Sequence, residues 1–262
     1  MTTSKQVASP WLVCLRPNGK AAIRLFCFPH AGGRALVYRT WPEKLPREVE
    51  TYAVELPGHG NRLLEPSYRQ LEPLINDLAE ELLPYLDKEF AFFGHSMGAM
   101  ISFELARHLR VKYGLRPAHL FVSGRRAPHL KDDDPPTYNL PVAELIKELS
   151  RLNGTPQEVF ESPELMDLML PVLRADFELV QTYEYKQGPA LDFPLTALGG
   201  AQDPEVSRSH LEAWRQYTDS RFSLRLLPGD HFYLRTSEDL LLQFIAGDLY
   251  QIMNSTAAGR LD

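Results

Sequence analysis

The fold of this chain is decided by the stretch Phe90-Ala91-Phe92-Phe93-Gly94-His95-Ser96-Met97-Gly98. Its first four residues are apolar, and they predict a short buried strand. A second pattern, with apolar residues at helical spacing as far as Leu109, begins directly after Ser96. The sequence therefore predicts a sharp turn from a strand into a helix, with a serine at its tip.

This turn matches G-x-S-x-G, the nucleophile elbow that carries the reactive serine of the α/β-hydrolase fold. The pattern alone is common by chance, and its place between a strand and a helix makes it informative. A side chain at Gly94 or Gly98 would collide with neighbouring chain in so tight a turn. Ser96 is therefore predicted to be the nucleophile, and a glycine-bounded turn with an incidental serine is the alternative.

The rest of the chain alternates strands with helices. Further strands are predicted at residues 23–28, 51–56, 120–123, 195–198 and 222–227, with helical patterns at 68–87, at 207–218 and in a final helix ending near residue 252. Residues 1–22 are predicted to be a loosely ordered lead-in. The alternation predicts an α/β domain spanning residues 1–262, with a mostly parallel central sheet and helices on both faces.

One long segment, approximately residues 125–189, interrupts this alternation. It contains helical patterns rich in leucine and methionine at 140–149 and 163–180, but no convincing strand. An insertion of this length is too long for a simple connection and too short for a domain. We expect a helical lid subdomain over the carboxyl edge of the sheet, and an elaborated crossover helix is the alternative.

A serine nucleophile needs a neighbouring base. His231 follows the predicted strand 222–227, and Asp203 follows the strand 195–198. Loops at the carboxyl ends of parallel strands meet at one edge of the sheet, so both are expected beside Ser96. His231 is predicted to be the base and Asp203 the acid that orients it. Other candidates for the acid are Asp230, Asp176 and Asp192.

The oxyanion formed during acyl transfer needs two backbone amides. In this type of fold one belongs to the residue after the nucleophile, here Met97, and the other to the loop after an earlier strand. That loop is Pro29-His30-Ala31-Gly32-Gly33, whose glycines allow a close approach to the substrate. Ala31 is the predicted second donor and His30 a weaker one.

Composition limits the possible functions. The 262 residues carry a net charge of −6, which argues against a nucleic-acid binder and means that an acidic partner could dock only on a local basic patch. Two cysteines support neither a disulfide scaffold nor a metal site. We see no signal peptide, and no apolar run approaches the ~18 residues of a membrane span. A cytoplasmic protein is expected.

Beyond the elbow, the sequence resembles the type II thioesterases, the stand-alone enzymes that accompany polyketide synthases and nonribosomal peptide synthetases. The chain-terminating thioesterase of fatty acid synthase has similar motifs. The resemblance runs from about Ile23 to the last helix, in the stretches Phe28–Gly33, Leu56–Gly60, Gly94–Gly98, Ser123–Pro128, Leu170–Asp176 and Gly229–Phe232. In the integrated, product-releasing relatives the acid often follows the strand after the nucleophile helix. No carboxylate occurs there, in Ser123-Gly124-Arg125-Arg126-Ala127, which favours the stand-alone type.

The resemblance implies hydrolysis of aberrant or stalled acyl groups from the phosphopantetheine thiol of an acyl or peptidyl carrier protein. The arm belongs to the carrier, so no metal and no cofactor is expected, and the chain is expected to be a monomer. Arg125 and Arg126, together with His30, are candidate contacts to substrate or an acidic carrier, although the arginines could instead brace the lid. Alternatives are a medium-chain thioesterase of fatty acid synthase and a small-molecule carboxylesterase. A non-catalytic carrier binder is disfavoured by the complete set Ser96, Asp203 and His231.

Overall fold

A twisted sheet runs through the centre of the computed structural model, which describes residues 9–131, 135–155 and 157–258. Within this part of the chain seven strands pair in the order β1-β3-β2-β4-β5-β6-β7, and only β1 is antiparallel to its neighbour. The strands are β1 Leu12–Cys14, β2 Ile23–Phe28, β3 Val49–Val54, β4 Glu89–His95, β5 His119–Ser123, β6 Leu195–Gly200 and β7 Phe222–Leu227. The predicted α/β class and mostly parallel sheet are confirmed.

The lead-in prediction is wrong for β1. Leu12, Val13 and Cys14 pair with Val54, Ala53 and Tyr52, and Trp11 and Leu12 are buried. A three-residue strand is too short to show the alternation by which strands are predicted. Pairing with β3 and burial of Trp11 order this segment.

Helices cover both faces of the sheet. They are α1 Trp41–Lys44, α2 Leu71–Leu82, α3 Met97–Tyr113, α4 Val142–Leu152, α5 Gln157–Glu161, α6 Pro163–Gln181, α7 Arg208–Glu212, α8 Tyr233–Thr236 and α9 Glu238–Ala258. Among the described residues, none of these helices has the length and apolar character needed to cross a bilayer.

Neighbouring residues of the central strands point to different cores. Phe26 and Phe92 pack with α2 and α3, whereas Leu25 and Phe93 pack with α1 and α9. Side chains alternate across a strand, so a strand buried on both faces must be apolar at nearly every position. The uninterrupted apolar runs at 23–28 and 90–93 reflect this double burial.

Three helices, α4, α5 and α6, occupy the segment between β5 and β6 where the helical insertion was predicted. They share a small apolar core built around Leu145, Leu149, Met166, Leu170 and Leu173. The insertion packs against the carboxyl edge of the sheet: the Leu173 side chain lies against Gly32, and Gly154 lies against the ring of Phe232. No strand occurs in the described part of residues 125–189.

Candidate active site

Ser96 stands alone between β4 and α3 in a strained conformation. Its φ of 54° and ψ of −111° lie in a region that non-glycine residues rarely adopt. A side chain at Gly94 would overlap the backbone of Gly98, and a side chain at Gly98 would overlap the carbonyl of Phe28. The two glycines therefore allow α3 to pack directly on the end of β2, which fixes the serine at the carboxyl edge of the sheet.

His231 and Asp203 meet at the same edge. The Nδ1 atom of His231 lies 2.7 Å from Oδ2 of Asp203, and the Asp203 side chain is fully buried. The other carboxylate oxygen, Oδ1, accepts hydrogen bonds from the amides of Glu205 and Val206 at 2.8 and 3.2 Å. A carboxylate can only accept, so the Nδ1 atom carries a proton, and in the neutral form of the ring the free lone pair is on Nε2.

Two further histidines lie close to His231. The ring centroid of His95 lies 5.2 Å from the ring centroid of His231 and 6.0 Å from that of His30. Burial lowers the pKa of His30 to about 3 and holds the pKa of His95 well below its usual value, with nearby cationic groups adding to both shifts. Both rings are therefore neutral at neutral pH. Since His95 precedes Ser96, its contact with His231 also places the base beside the elbow.

The loop after β2 has the turn needed for an oxyanion site. Gly33 donates its amide to the carbonyl of His30 at 2.8 Å, and Gly32 has a φ of +71°, so Ala31 lies at the tip. The amides of Ala31 and Met97 donate to no acceptor in the described part of the chain. The contact between Gly98 and the end of β2 brings these two segments together.

Sequence reasoning missed a buried pair that supports this loop. Asp176 on α6 accepts a hydrogen bond from the amide of Gly32 at 2.7 Å and lies 2.9 Å from Nε2 of His59. The Nδ1 atom of His59 is 3.1 Å from the carbonyl of Pro57. Both ring nitrogens thus face acceptors, which requires an imidazolium. Burial alone would lower the pKa of His59, but the Asp176 carboxylate, the Pro57 carbonyl and Glu55 together raise it. The signal available was the presence of both residues in stretches shared with the thioesterases.

The alternative acids lie elsewhere. Asp176 is bonded to the amide of Gly32 and to the ring of His59. Asp230 accepts from the amide of Phe232 at 2.8 Å and from Asn153 at 3.3 Å, and Asp192 pairs with Arg116 on the surface at 2.5 Å. Of the four candidates, Asp203 is the one that contacts the ring of His231.

The candidate contacts to substrate or carrier are spread out. His30 is buried against Phe232, with ring centroids 5.0 Å apart, and its Nδ1 has no partner among the described residues. Arg125 and Arg126 are half-buried at the start of the insertion, and Arg126 donates to the carbonyl of Lys131 at 3.1 Å. This contact fits the bracing alternative for Arg126, and carrier binding by either arginine stays a prediction.

Comparison with known proteins places this site in a family. The model of the thioesterase domain matches residues 23–249. The chain is 48% identical to "Linear gramicidin dehydrogenase LgrE" of Brevibacillus parabrevis, covering 92% of this chain and 93% of that one. It is 42% identical to "Gramicidin S biosynthesis protein GrsT" of Aneurinibacillus migulanus, covering 97% and 98%. The medium-chain S-acyl fatty acid synthase thioesterase of Rattus norvegicus is 34% identical, covering 90% and 91%.

The solved structures agree with this placement. The type II thioesterase BorB from the borrelidin biosynthetic cluster superposes with a TM-score of 0.86 at 36% identity, covering 94% of this chain and 100% of that one. The name of the Brevibacillus relative refers to a dehydrogenase, whereas the family model and the superposed structure are thioesterases. With the elbow and the histidine–aspartate pair at one sheet edge, these matches show that the chain belongs to the thioesterase family, in its type II branch.

Proposed function

We propose that this enzyme hydrolyses aberrant or stalled acyl groups from the phosphopantetheine thiol of a carrier protein in peptide or polyketide biosynthesis. Ser96 is the nucleophile, His231 the base and Asp203 the orienting acid. The observation that carries the proposal is the 2.7 Å contact between His231 and the buried Asp203, beside the strained serine turn. Such an arrangement leaves Nε2 of the base available for the serine proton.

In the first half-reaction the Ser96 hydroxyl attacks the thioester carbonyl while Nε2 of His231 takes its proton. Asp203 stabilises the imidazolium that forms, and the amides of Met97 and Ala31 hold the oxyanion. The tetrahedral intermediate then collapses, its carbon–sulfur bond breaks, and the imidazolium of His231 gives its proton to the departing sulfur, which releases the carrier thiol and leaves His231 neutral. A thiol has a pKa of ~8.5 and leaves with less help from an acid than an amine does.

In the second half-reaction His231 takes a proton from water, and the resulting hydroxide attacks the acyl-serine carbonyl. Collapse of this intermediate returns the proton to Ser96 and releases a carboxylic acid. Neither step changes an oxidation state, so no oxidant or reductant is required.

The names of the relatives support a role in peptide or polyketide biosynthesis. GrsT, which is 42% identical to this chain, is named for gramicidin S biosynthesis. BorB, which is 36% identical, comes from the borrelidin biosynthetic cluster. The fatty acid synthase thioesterase of the rat is more distant, at 34%. A carboxylesterase could use the same triad, so a plain ester is included as a substrate in the test.

The test compares acyl-carrier protein, an acyl N-acetylcysteamine thioester and a matched plain ester as substrates. We expect hydrolysis of both thioesters, a far lower kcat/KM on the ester, and loss of turnover in the Ser96→Ala variant. Retention of more than a small residual rate by this variant would disprove the role of Ser96. A preference for the plain ester would instead identify a carboxylesterase.

A further inference from the structure

A groove of about 700 Å³ lies outside the catalytic centre. One wall is the turn Ala35–Tyr38 with the end of α1, and the other is α8 with the start of α9. Its lining includes four cationic side chains, those of Arg34, Arg39, Lys44 and Arg235. We call it the Arg34–Arg39 groove.

The charge of this groove opposes that of the whole protein. Its two carboxylates, Glu238 and Asp239, both pair with Lys44, at 2.6 and 2.7 Å. The side chains of Arg34 and Arg39 are exposed and form no ion pair or hydrogen bond with any residue that the structure describes. The groove is therefore a local basic patch on a chain with a net charge of −6.

The groove also adjoins the catalytic centre. The guanidinium of Arg235, one of the lining residues, lies 4.8 Å from the ring centroid of Phe232 and donates to the carbonyl of Gly154 at 3.0 Å. The ring of Phe232 is 5.2 Å from that of His231. Arg34 directly follows the turn that holds Ala31. A macromolecule bound in the groove would thus lie beside both the base and the oxyanion loop.

We propose that the Arg34–Arg39 groove docks the acidic surface of the carrier protein, so that the arm enters the site past Phe232. This inference rests on the proposed function and names where its partner binds. Complementary charge steers association, and a net negative enzyme can attract an acidic partner only through such a patch. Exposed Leu36, at 45%, adds an apolar contact to the same wall.

The experiment reverses charge in the groove with the double variant Arg34→Glu/Arg39→Glu. The control is Arg47→Glu, which makes the same kind of change at an exposed arginine near the start of β3, on the amino edge of the sheet. Each protein is assayed with acyl-carrier protein and with the acyl N-acetylcysteamine thioester, which has neither a phosphate nor a protein surface. Circular dichroism checks that every variant is folded.

We expect the double variant to lose at least ~10-fold in kcat/KM on acyl-carrier protein, mainly through KM, while hydrolysis of the small thioester is retained. Salt should weaken carrier turnover by the wild-type enzyme more than by the variant. Arg47→Glu should behave like wild type on both substrates.

Two results would overturn the docking site: undiminished carrier turnover in the double variant, or an equal loss on both substrates. A loss produced only by reversing Arg125 and Arg126 would move the docking surface there. Failure of the proposed function would look different, because the wild-type enzyme itself would then leave acyl-carrier protein intact.

Discussion

The Asp176 carboxylate lies 2.7 Å from the backbone nitrogen of Gly32, which joins the helical insertion to the loop Pro29–Gly33 after β2. Gly32 follows Ala31, the predicted oxyanion donor, so the contact restrains the direction of that amide. The bond with His59 holds the carboxylate in place, and both side chains are nearly fully buried. The position of α6 and the geometry of the oxyanion site are therefore coupled.

Replacing Asp176 with asparagine should weaken transition-state stabilisation. The buried charge that holds Gly32 and His59 is lost, so we expect a fall in kcat of roughly 10- to 100-fold, below the effect of deleting an oxyanion donor outright. KM should change little, and the affinity for a trifluoromethyl-ketone analogue should fall by the same factor as kcat/KM.

Glu178→Gln, on the same helix but paired with Arg69 at the surface, is the matched control and should keep full activity. A rise in KM for Asp176→Asn with unchanged affinity for the analogue would mean that Asp176 acts on substrate binding instead.

Asp203 and Asp230 provide a direct comparison of the two carboxylates near His231. Asp203→Asn should reduce kcat by on the order of 10⁴-fold, because an amide no longer selects the Nδ1–H tautomer or stabilises the imidazolium. Asp230→Asn should retain most activity, since that carboxylate contacts the amide of Phe232 rather than the catalytic ring. Steady-state assays on acyl-carrier protein would check both, and the reverse ranking would assign Asp230 as the acid.

The elbow glycines are expected to be intolerant of any side chain. Gly98→Ala would place a methyl group on the Phe28 carbonyl, and backbone on both sides leaves little room to move, so a loss of roughly 3 kcal/mol or more is expected. Gly247→Ala is the control, because the site on α9 is open and alanine favours a helix by about 1 kcal/mol. Urea unfolding would measure both changes, and a Gly98→Ala protein of normal stability would contradict the packing described here.

His119 should make the protein less stable in acid. Burial, together with Arg221 and Arg225, lowers its pKa in the folded state from 6.5 to about 3. Between these values the unfolded chain binds a proton that the folded chain does not, so stability falls as the pH drops below 6.5. Near pH ~5 this contribution amounts to about 2 kcal/mol.

The variant His119→Gln can keep a hydrogen bond to Thr196 but has no titrating ring. We expect its free energy of unfolding to fall by about 2 kcal/mol less than that of wild type between pH ~7.5 and ~5, as measured by urea unfolding. The stability of this variant at neutral pH also reflects the lost stacking on Phe121. The test of the His119 pKa is therefore the change in the free energy of unfolding with pH. Equal slopes for the two proteins would show that His119 is protonated in the fold.

The sequence alone was enough to predict the alternation of strands and helices, the mostly parallel sheet and the turn at Ser96. Doubly buried strands need unbroken apolar runs, and the elbow needs glycines at two fixed positions, so both leave local patterns. The placement of Asp203 and His231 followed from the same reasoning, because each comes just after a predicted strand.

Only the tertiary structure decided the contacts between distant segments. Asp176 is 144 residues from Gly32 and 117 from His59, and no local periodicity records such a pairing. The strand β1 also depends on a distant segment, because its three residues form a strand by pairing with β3. It also holds for the protonation of the histidines: His30 is neutral and His59 charged because burial and facing groups, which exist only in the folded chain, set each pKa.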